Sequence, residues 1–157
     1  MDFRRDDLSG EPIRALLRQH LESAAQHSPP ESVHALDIDG LRQPGVTFWS
    51  AWSGGDLLGC CALKELDAGH GEVKSMRTAD AHQGRGVGAA LLQHLLHEAR
   101  ARGYRRLSLE TGSADAFAPA RRLYERHGFE YCGPFGDYID DHWSRFMSLR
   151  LPATDAA

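Results

Sequence analysis

From Glu11 to about Gln26 the apolar residues Ile13, Leu16, Leu17, Leu21 and Ala24 recur at three- to four-residue steps, which predicts one amphipathic helix. Ser9 stands where an N-cap belongs, and Pro12 is tolerated in a first turn. Ser28-Pro29-Pro30 stops that helix, and a short helical turn is expected around Ser32–Leu41. The period then changes. Val46–Trp52, dense in β-branched and aromatic residues, reads as a strand, and Leu57–Leu66 returns antiparallel to it through the turn Ser53-Gly54-Gly55-Asp56. Asp67–Gly71 turns once more into a third antiparallel strand, Glu72–Thr78, with charges interleaved.

Beyond Thr78 the pattern becomes helical again. Gly86–Arg102 carries Val87, Leu91, Leu95 and Ala99 at four-residue steps, and Gly103 ends it. A short strand is expected at Arg106–Glu110 and a helix near Ala118–His127, closed by Gly128. Tyr131-Cys132 and Ser144–Leu151 supply the final strands. This order predicts an α/β fold: one mixed, mostly antiparallel sheet with helices on both faces. Neither a repeat nor a linker interrupts it, so residues 1–157 read as one domain, with a frayed tail at 152–157.

Composition narrows the chemistry. With 41% hydrophobic residues in 157, the chain can bury a single core and is not disordered. No apolar run is long enough to span a bilayer, and Met1–Asp7 lacks the apolar stretch of a secretory signal, so a cytoplasmic protein without membrane association is expected. A net charge of −4 offers no field for nucleic acid. The adjacent Cys60 and Cys61 should face opposite sides of a strand, and Cys132 lies far away, so no disulfide framework is readable. None of the nine histidines has a metal-ligand spacing; His94 and His97 read as solvated, and no metal is expected.

The informative stretch is Gln83-Gly84-Arg85-Gly86-Val87-Gly88-Ala89, between a strand and a long helix. Alternating glycines let the backbone approach a ligand, and the helix start offers unpaired N–H groups and a positive dipole end. Together they suit a pyrophosphate, with Arg85 adding charge at the mouth. Gly84-x-Gly86-x-x-Ala89 also satisfies a relaxed dinucleotide fingerprint, with Glu110 placed as a ribose acid. Against that oxidoreductase reading, Glu72–Thr78 looks too charged for a central parallel strand buried on both faces, and the loop follows a meander instead of opening the fold.

Gln83-Gly84-Arg85-Gly86-Val87-Gly88 also matches the loop Gln/Arg-x-x-Gly-x-Gly/Ala, and Ala120-Arg121-Arg122-Leu123-Tyr124 through Gly128-Phe129 matches a second block. On these two motifs the chain resembles the GNAT family of N-acetyltransferases over about residues 46 to 150. The stretches Lys74–Thr78, Leu109–Gly112 and Phe135-Gly136-x-Tyr138 suggest a bacterial subgroup of that family. One departure stands out: Phe117 occupies the position where many members carry an asparagine three residues before the alanine.

The resemblance implies a GNAT-like sheet whose central strands, Glu72–Thr78 and Arg106–Glu110, splay apart. Acetyl-CoA would be the co-substrate. Its pantetheine arm would pair with Met76, Arg77 and Thr78, its pyrophosphate would rest on Gln83–Ala89, and its sulfur would lie beside Tyr124. A backbone N–H near Arg77 would stabilise the oxyanion, and direct attack by an amine would leave Cys60, Cys61 and Cys132 as core. Residues 1–45 would form the acceptor side and 46–151 the sheet and acetyl-CoA core. The acceptor is expected to be a small-molecule amine, and a homodimer stays open.

Three catalytic candidates follow from that placement. Tyr124 is either the general acid for the thiolate or a packing residue. Glu110 and Glu72 are candidates for the general base, or carboxylates paired with Lys74 or Arg77. Alternation puts Glu72, Lys74 and Met76 on one face, and at about 3.3 Å per residue Glu72 lies roughly 13 Å from Met76, which favours a direct role for Glu110. Lys74 and Arg77 read either as a cue for an acidic acceptor or as an exposed charged sheet face. Asp137, Asp140 and Asp141 beside Trp143 either ring the acceptor entrance or are ordinary loop charge. A non-catalytic acyl-CoA sensor is a further alternative.

Overall fold

The computed structural model describes residues 1–152, so all of the tail expected at 152–157 beyond Pro152 lies outside the described residues. Seven strands form one sheet in the order β1-β2-β3-β4-β5-β7-β6. They are β1 (Asp2–Arg5), β2 (Val46–Ser53), β3 (Asp56–Asp67), β4 (His70–Thr78), β5 (Arg106–Gly112), β6 (Glu130–Cys132) and β7 (Ser144–Arg150). The helices are α1 (Glu11–His27), α2 (Ile38–Leu41), α3 (Val87–Ala101) and α4 (Ala118–Arg126). Every predicted element is present, and β1 is an addition. Its single large apolar residue, Phe3, gives no alternation to read, and a short, charged strand is what a sheet edge tolerates.

Helices cover both faces. Leu91, Leu92, Leu95 and Leu96 of α3 pack with Cys61, Leu63, Val73, Leu107 and Met147 on one side, where Leu123 and Tyr124 of α4 join them. Ile13, Leu16 and Leu17 of α1 pack with Phe48, Cys60 and Ala62 on the other. Cys60 and Cys61 thus point to opposite cores, as alternation requires. Cys132, expected in the core, lies on the short edge strand β6 and is only half-buried. His94, expected in solvent, is half-buried; it stacks on Phe3 at 4.3 Å, and its Nε2 is buried without a partner. Helix α1 is capped by Gly10 and not by Ser9, whose hydroxyl instead donates to Asp7 at 2.6 Å.

The middle of the sheet positions the site. β4 and β5 pair in parallel at only three positions, His70–Arg106, Gly71–Leu107 and Glu72–Ser108. Beyond Glu72 the two strands separate, leaving the β5-facing edge of β4 without a ladder partner from Val73 to Thr78. β4 is also bulged: two residues, Ser75 and Met76, stand against the single Cys61 between the pairs Ala62–Lys74 and Cys60–Arg77. Ser75 takes the left-handed conformation, with φ at 50°. The bulge reverses the alternation, so Met76 packs toward the core of Val73 and does not share the face of Glu72 and Lys74.

The charged strand is central and buried, contrary to the expectation from its sequence. Glu72 is 2% and Lys74 8% exposed. Burial of both is tolerated because they pair at 3.3 Å.

Candidate active site

The loop before α3 is built for close approach. Gly84 and Gly86 have φ of 77° and 81°, a region that disfavours any side chain. Gly86 is the N-cap of α3, no side chain caps the helix, and no acidic residue occupies its first turn. The first internal bond runs from the Ala90 N–H to the Gly86 carbonyl, so the N–H groups of Val87, Gly88 and Ala89 have no partner inside the helix. Gly88 packs closely on α4: a Cβ there would come within 3.2 Å of the Leu123 Cδ2 methyl, which would have to give way.

These N–H groups open on a cavity of ≈ 580 Å³. Its walls include Met76, Arg77 and Thr78 from the free edge of β4, Gln83, Gly84, Gly86, Val87, Gly88 and Ala89 from the loop and α3, and Tyr124 from α4. Nearly all the residues expected to hold acetyl-CoA therefore converge. Arg85 is the exception; its guanidinium turns outward and lies 3.4 Å from His82 Nδ1. Arg77 reaches Asp80 at 3.3 Å, while its Nε is buried without a partner. An unpaired strand edge, an uncapped helix start and an orphaned guanidinium N–H fit an extended, anionic molecule such as acetyl-CoA.

A second, smaller chamber of ≈ 140 Å³ lies where β4 and β5 part. It shares Met76, Tyr124, His20 and Phe117 with the larger cavity, and these residues form the seam between the two. Phe117, at the position of the absent asparagine, packs its ring on Gly112, where a Cβ would come within 2.2 Å of it. Glu110 and Tyr124 face the chamber together. Burial pushes the Glu110 carboxyl up to about 7, partly offset by the nearby Ser144 hydroxyl and Lys74, although Ser144 Oγ makes no hydrogen bond. Burial, reinforced by Glu110, raises Tyr124 well above the usual phenol range. Burial likewise pushes Cys60 up to about 12 and Cys61 well above its ordinary value, so neither thiol is a nucleophile at neutral pH.

Glu72 is placed differently. It lies outside the small chamber, accepts a hydrogen bond from the Tyr138 hydroxyl and pairs with Lys74. Lys74 also donates to Tyr138 Oη at 2.7 Å and to the His34 carbonyl at 3.2 Å. Lys74 is therefore no exposed surface charge. Asp141 accepts from the Ser32 hydroxyl at 2.8 Å, tying the β6–β7 loop to the segment after α1. Asp137 and Asp141 line a third cavity beside Tyr138, whereas Asp140 lies elsewhere.

Sequence reasoning did not single out His20, His34 or Ser75 as lining the small chamber. His20 continues the α1 stripe of Ile13, Leu16 and Leu17, which was a usable signal. Among the described residues no group of three or more His, Cys, Asp or Glu side chains is placed to hold a metal ion, and no helix is long and apolar enough to cross a membrane.

Comparison with known proteins agrees with the geometry. The model of the acetyltransferase (GNAT) family matches residues 11–129. The chain is 55% identical to the Bacillus subtilis (strain 168) protein named uncharacterized N-acetyltransferase YsnE, over 96% of this chain and 100% of that one. It is 51% identical to the Escherichia coli (strain K12) protein named uncharacterized N-acetyltransferase YedL, covering 95% and 94%. A GNAT acetyltransferase from Elizabethkingia anophelis, solved with acetyl-CoA bound, shares the fold at a TM-score of 0.63 and 17% identity, covering 96% and 97%. The dinucleotide reading is overturned by these matches, although one premise against it, that β4 was too charged to be central, was mistaken. The chain belongs to the GNAT family of acetyltransferases, whose acetyl donor is acetyl-CoA.

Proposed function

We propose that the protein transfers the acetyl group of acetyl-CoA to a small amine by direct attack, with Glu110 as general base and Tyr124 as general acid. The observation that carries this reading is that Glu110 and Tyr124 meet in one chamber adjoining the cavity of the glycine loop. An ammonium cannot attack a thioester, so a proton must first leave it. A carboxyl poised at about 7 is matched to that task near neutral pH. The nitrogen lone pair then forms the C–N bond, the C–S bond breaks as the sulfur takes the Tyr124 proton, and the proton shed by the new amide nitrogen restores the phenol. Burial keeps that phenol protonated until it is needed. A non-catalytic acyl-CoA sensor would need neither residue.

In this reading Glu72 supports the fold and leaves the base role to Glu110, because both its pairing partners are internal. The free β4 edge at Met76, Arg77 and Thr78 takes the pantetheine arm, and Gln83–Ala89 takes the pyrophosphate. Residues 1–45 supply the acceptor wall through His20, Ser32 and His34. Gly86→Val forces a β-branched residue to φ 81°, and it should weaken acetyl-CoA at least about tenfold by calorimetry, at 1.4 kcal/mol per decade. Gly88→Val should do the same by displacing Leu123. Native affinity in both folded variants would place the donor site elsewhere.

A further inference from the structure

The charges in the small chamber restrict the acceptor further. Lys74 is its only lysine or arginine among the described residues, and the Lys74 ammonium is already engaged: it pairs with Glu72 at 3.3 Å and donates to Tyr138 Oη and the His34 carbonyl. Arg77, the other cation expected to read an acid, lines the donor cavity and not this chamber. His20 is held neutral, burial and then Arg77 pushing it down to about 4. An acceptor carboxylate would thus find Lys74 already paired and no other cation among the described residues of the chamber wall.

The unfilled hydrogen-bonding capacity, together with Glu110, can serve an ammonium. Ser75 Oγ is buried without a partner on a residue 8% exposed, and it belongs to the bulge that lines the chamber. His34 Nε2 is also buried without a partner, and burial followed by Lys74 lowers this imidazole's pKa, so it is largely neutral and its unprotonated nitrogen can accept. Glu110 has no ion-pair partner among the described residues. Three acceptors without a donor cation suit the three N–H bonds of a primary ammonium. The adjoining cavity, which shares His34 and Lys74, carries Glu31, Glu72, Asp137 and Asp141 against Lys64 and Lys74, so its field also favours a cation.

We infer that the acceptor is a small primary alkylamine carrying no carboxylate, its ammonium held by Glu110, Ser75 and His34. This rests on the catalytic reading above and narrows its substrate class. A chamber of ≈ 140 Å³ has room for a short chain.

The test compares each amine with the amino acid that differs only by a carboxylate: ethanolamine with serine, 1,4-diaminobutane with ornithine, and 1,5-diaminopentane with lysine. Release of the coenzyme A thiol is followed at saturating acetyl-CoA. The carboxylate-free member should show a kcat/KM at least about tenfold higher, because an unpaired carboxylate is costly to bury. Ser75→Gly keeps the left-handed backbone and removes the hydroxyl, and it should raise KM for the amine about fivefold while KM for acetyl-CoA holds. Equal or better use of the amino acids overturns the inference, as does an unchanged amine KM in Ser75→Gly. Turnover of neither member, with acetyl-CoA binding intact, overturns it while sparing the donor site. Loss of acetyl-CoA binding by the wild-type protein overturns the parent reading instead.

Discussion

At Tyr124 two readings of one side chain, packing and proton donation, can be separated by a single oxygen. The ring is 7% exposed and lies edge-on to Phe129 with centroids 5.8 Å apart, so part of its role is core. Its position at the seam of the two cavities is where the proposed proton donor would stand. Tyr124→Phe keeps the ring and removes the proton, and kcat should fall about a hundred- to ten-thousand-fold with little change in stability. Stopped assays of thiol release, beside a thermal melt, check both halves. An unchanged kcat would return Tyr124 to packing alone. That Tyr124 and Glu110 would lie close together was legible because motif and strand position pointed to them. Ser75 and His34 were not, since a serine in a strand and a histidine in a loop acquire meaning only when the chain brings them to a common chamber.

Among the elements, β4 departs most from what its residues suggested. Alternating charges in Glu72-Val73-Lys74 read as an exposed face, yet the strand is central, because a buried pair can stand where a single charge cannot. The bulge at Ser75 was equally hidden, since no glycine marks it within β4; the accommodating glycine is Gly59, across the ladder on β3. A Cβ on Gly59 would lie 2.5 Å from the Arg77 carbonyl oxygen, and that backbone atom cannot swing aside. Gly59→Ala should therefore cost about 1–3 kcal/mol in chemical denaturation and raise KM for acetyl-CoA by distorting the free edge. Wild-type stability in that variant would mean that the bulge is soft. Helices α1, α3 and α4 followed from periodicity and from proline or glycine stops, and β1 escaped because Asp-Phe-Arg-Arg has too little apolar pattern.

Across the whole molecule, the antiparallel meander and the layering of helices on both faces were legible from the succession of periods, and the β4–β5 separation only through family resemblance. What the sequence could not display is how distant segments set one carboxyl. The chamber around Glu110 is walled by α1 through His20, by the segment after it through His34, by β4 through Lys74 and by α4 through Tyr124. Tyr138, from the β6–β7 loop, engages both Glu72 and Lys74, and the Glu72 charge opposes the pull of Lys74 on Glu110. Burial then outweighs Lys74, and the carboxyl is left at about 7. A group raised in this way is protonated and inactive as a base at pH 5, and it gains competence as pH rises through 7. The most direct test is the pH profile of kcat/KM for the amine, in the wild type and in Glu110→Gln. The wild type should lose rate on the acidic side with an apparent pKa near 7, falling about tenfold per pH unit below it. Glu110→Gln should lack that limb and most of the neutral-pH rate. A wild-type limb preserved in Glu110→Gln would contradict the assignment of Glu110 as the base.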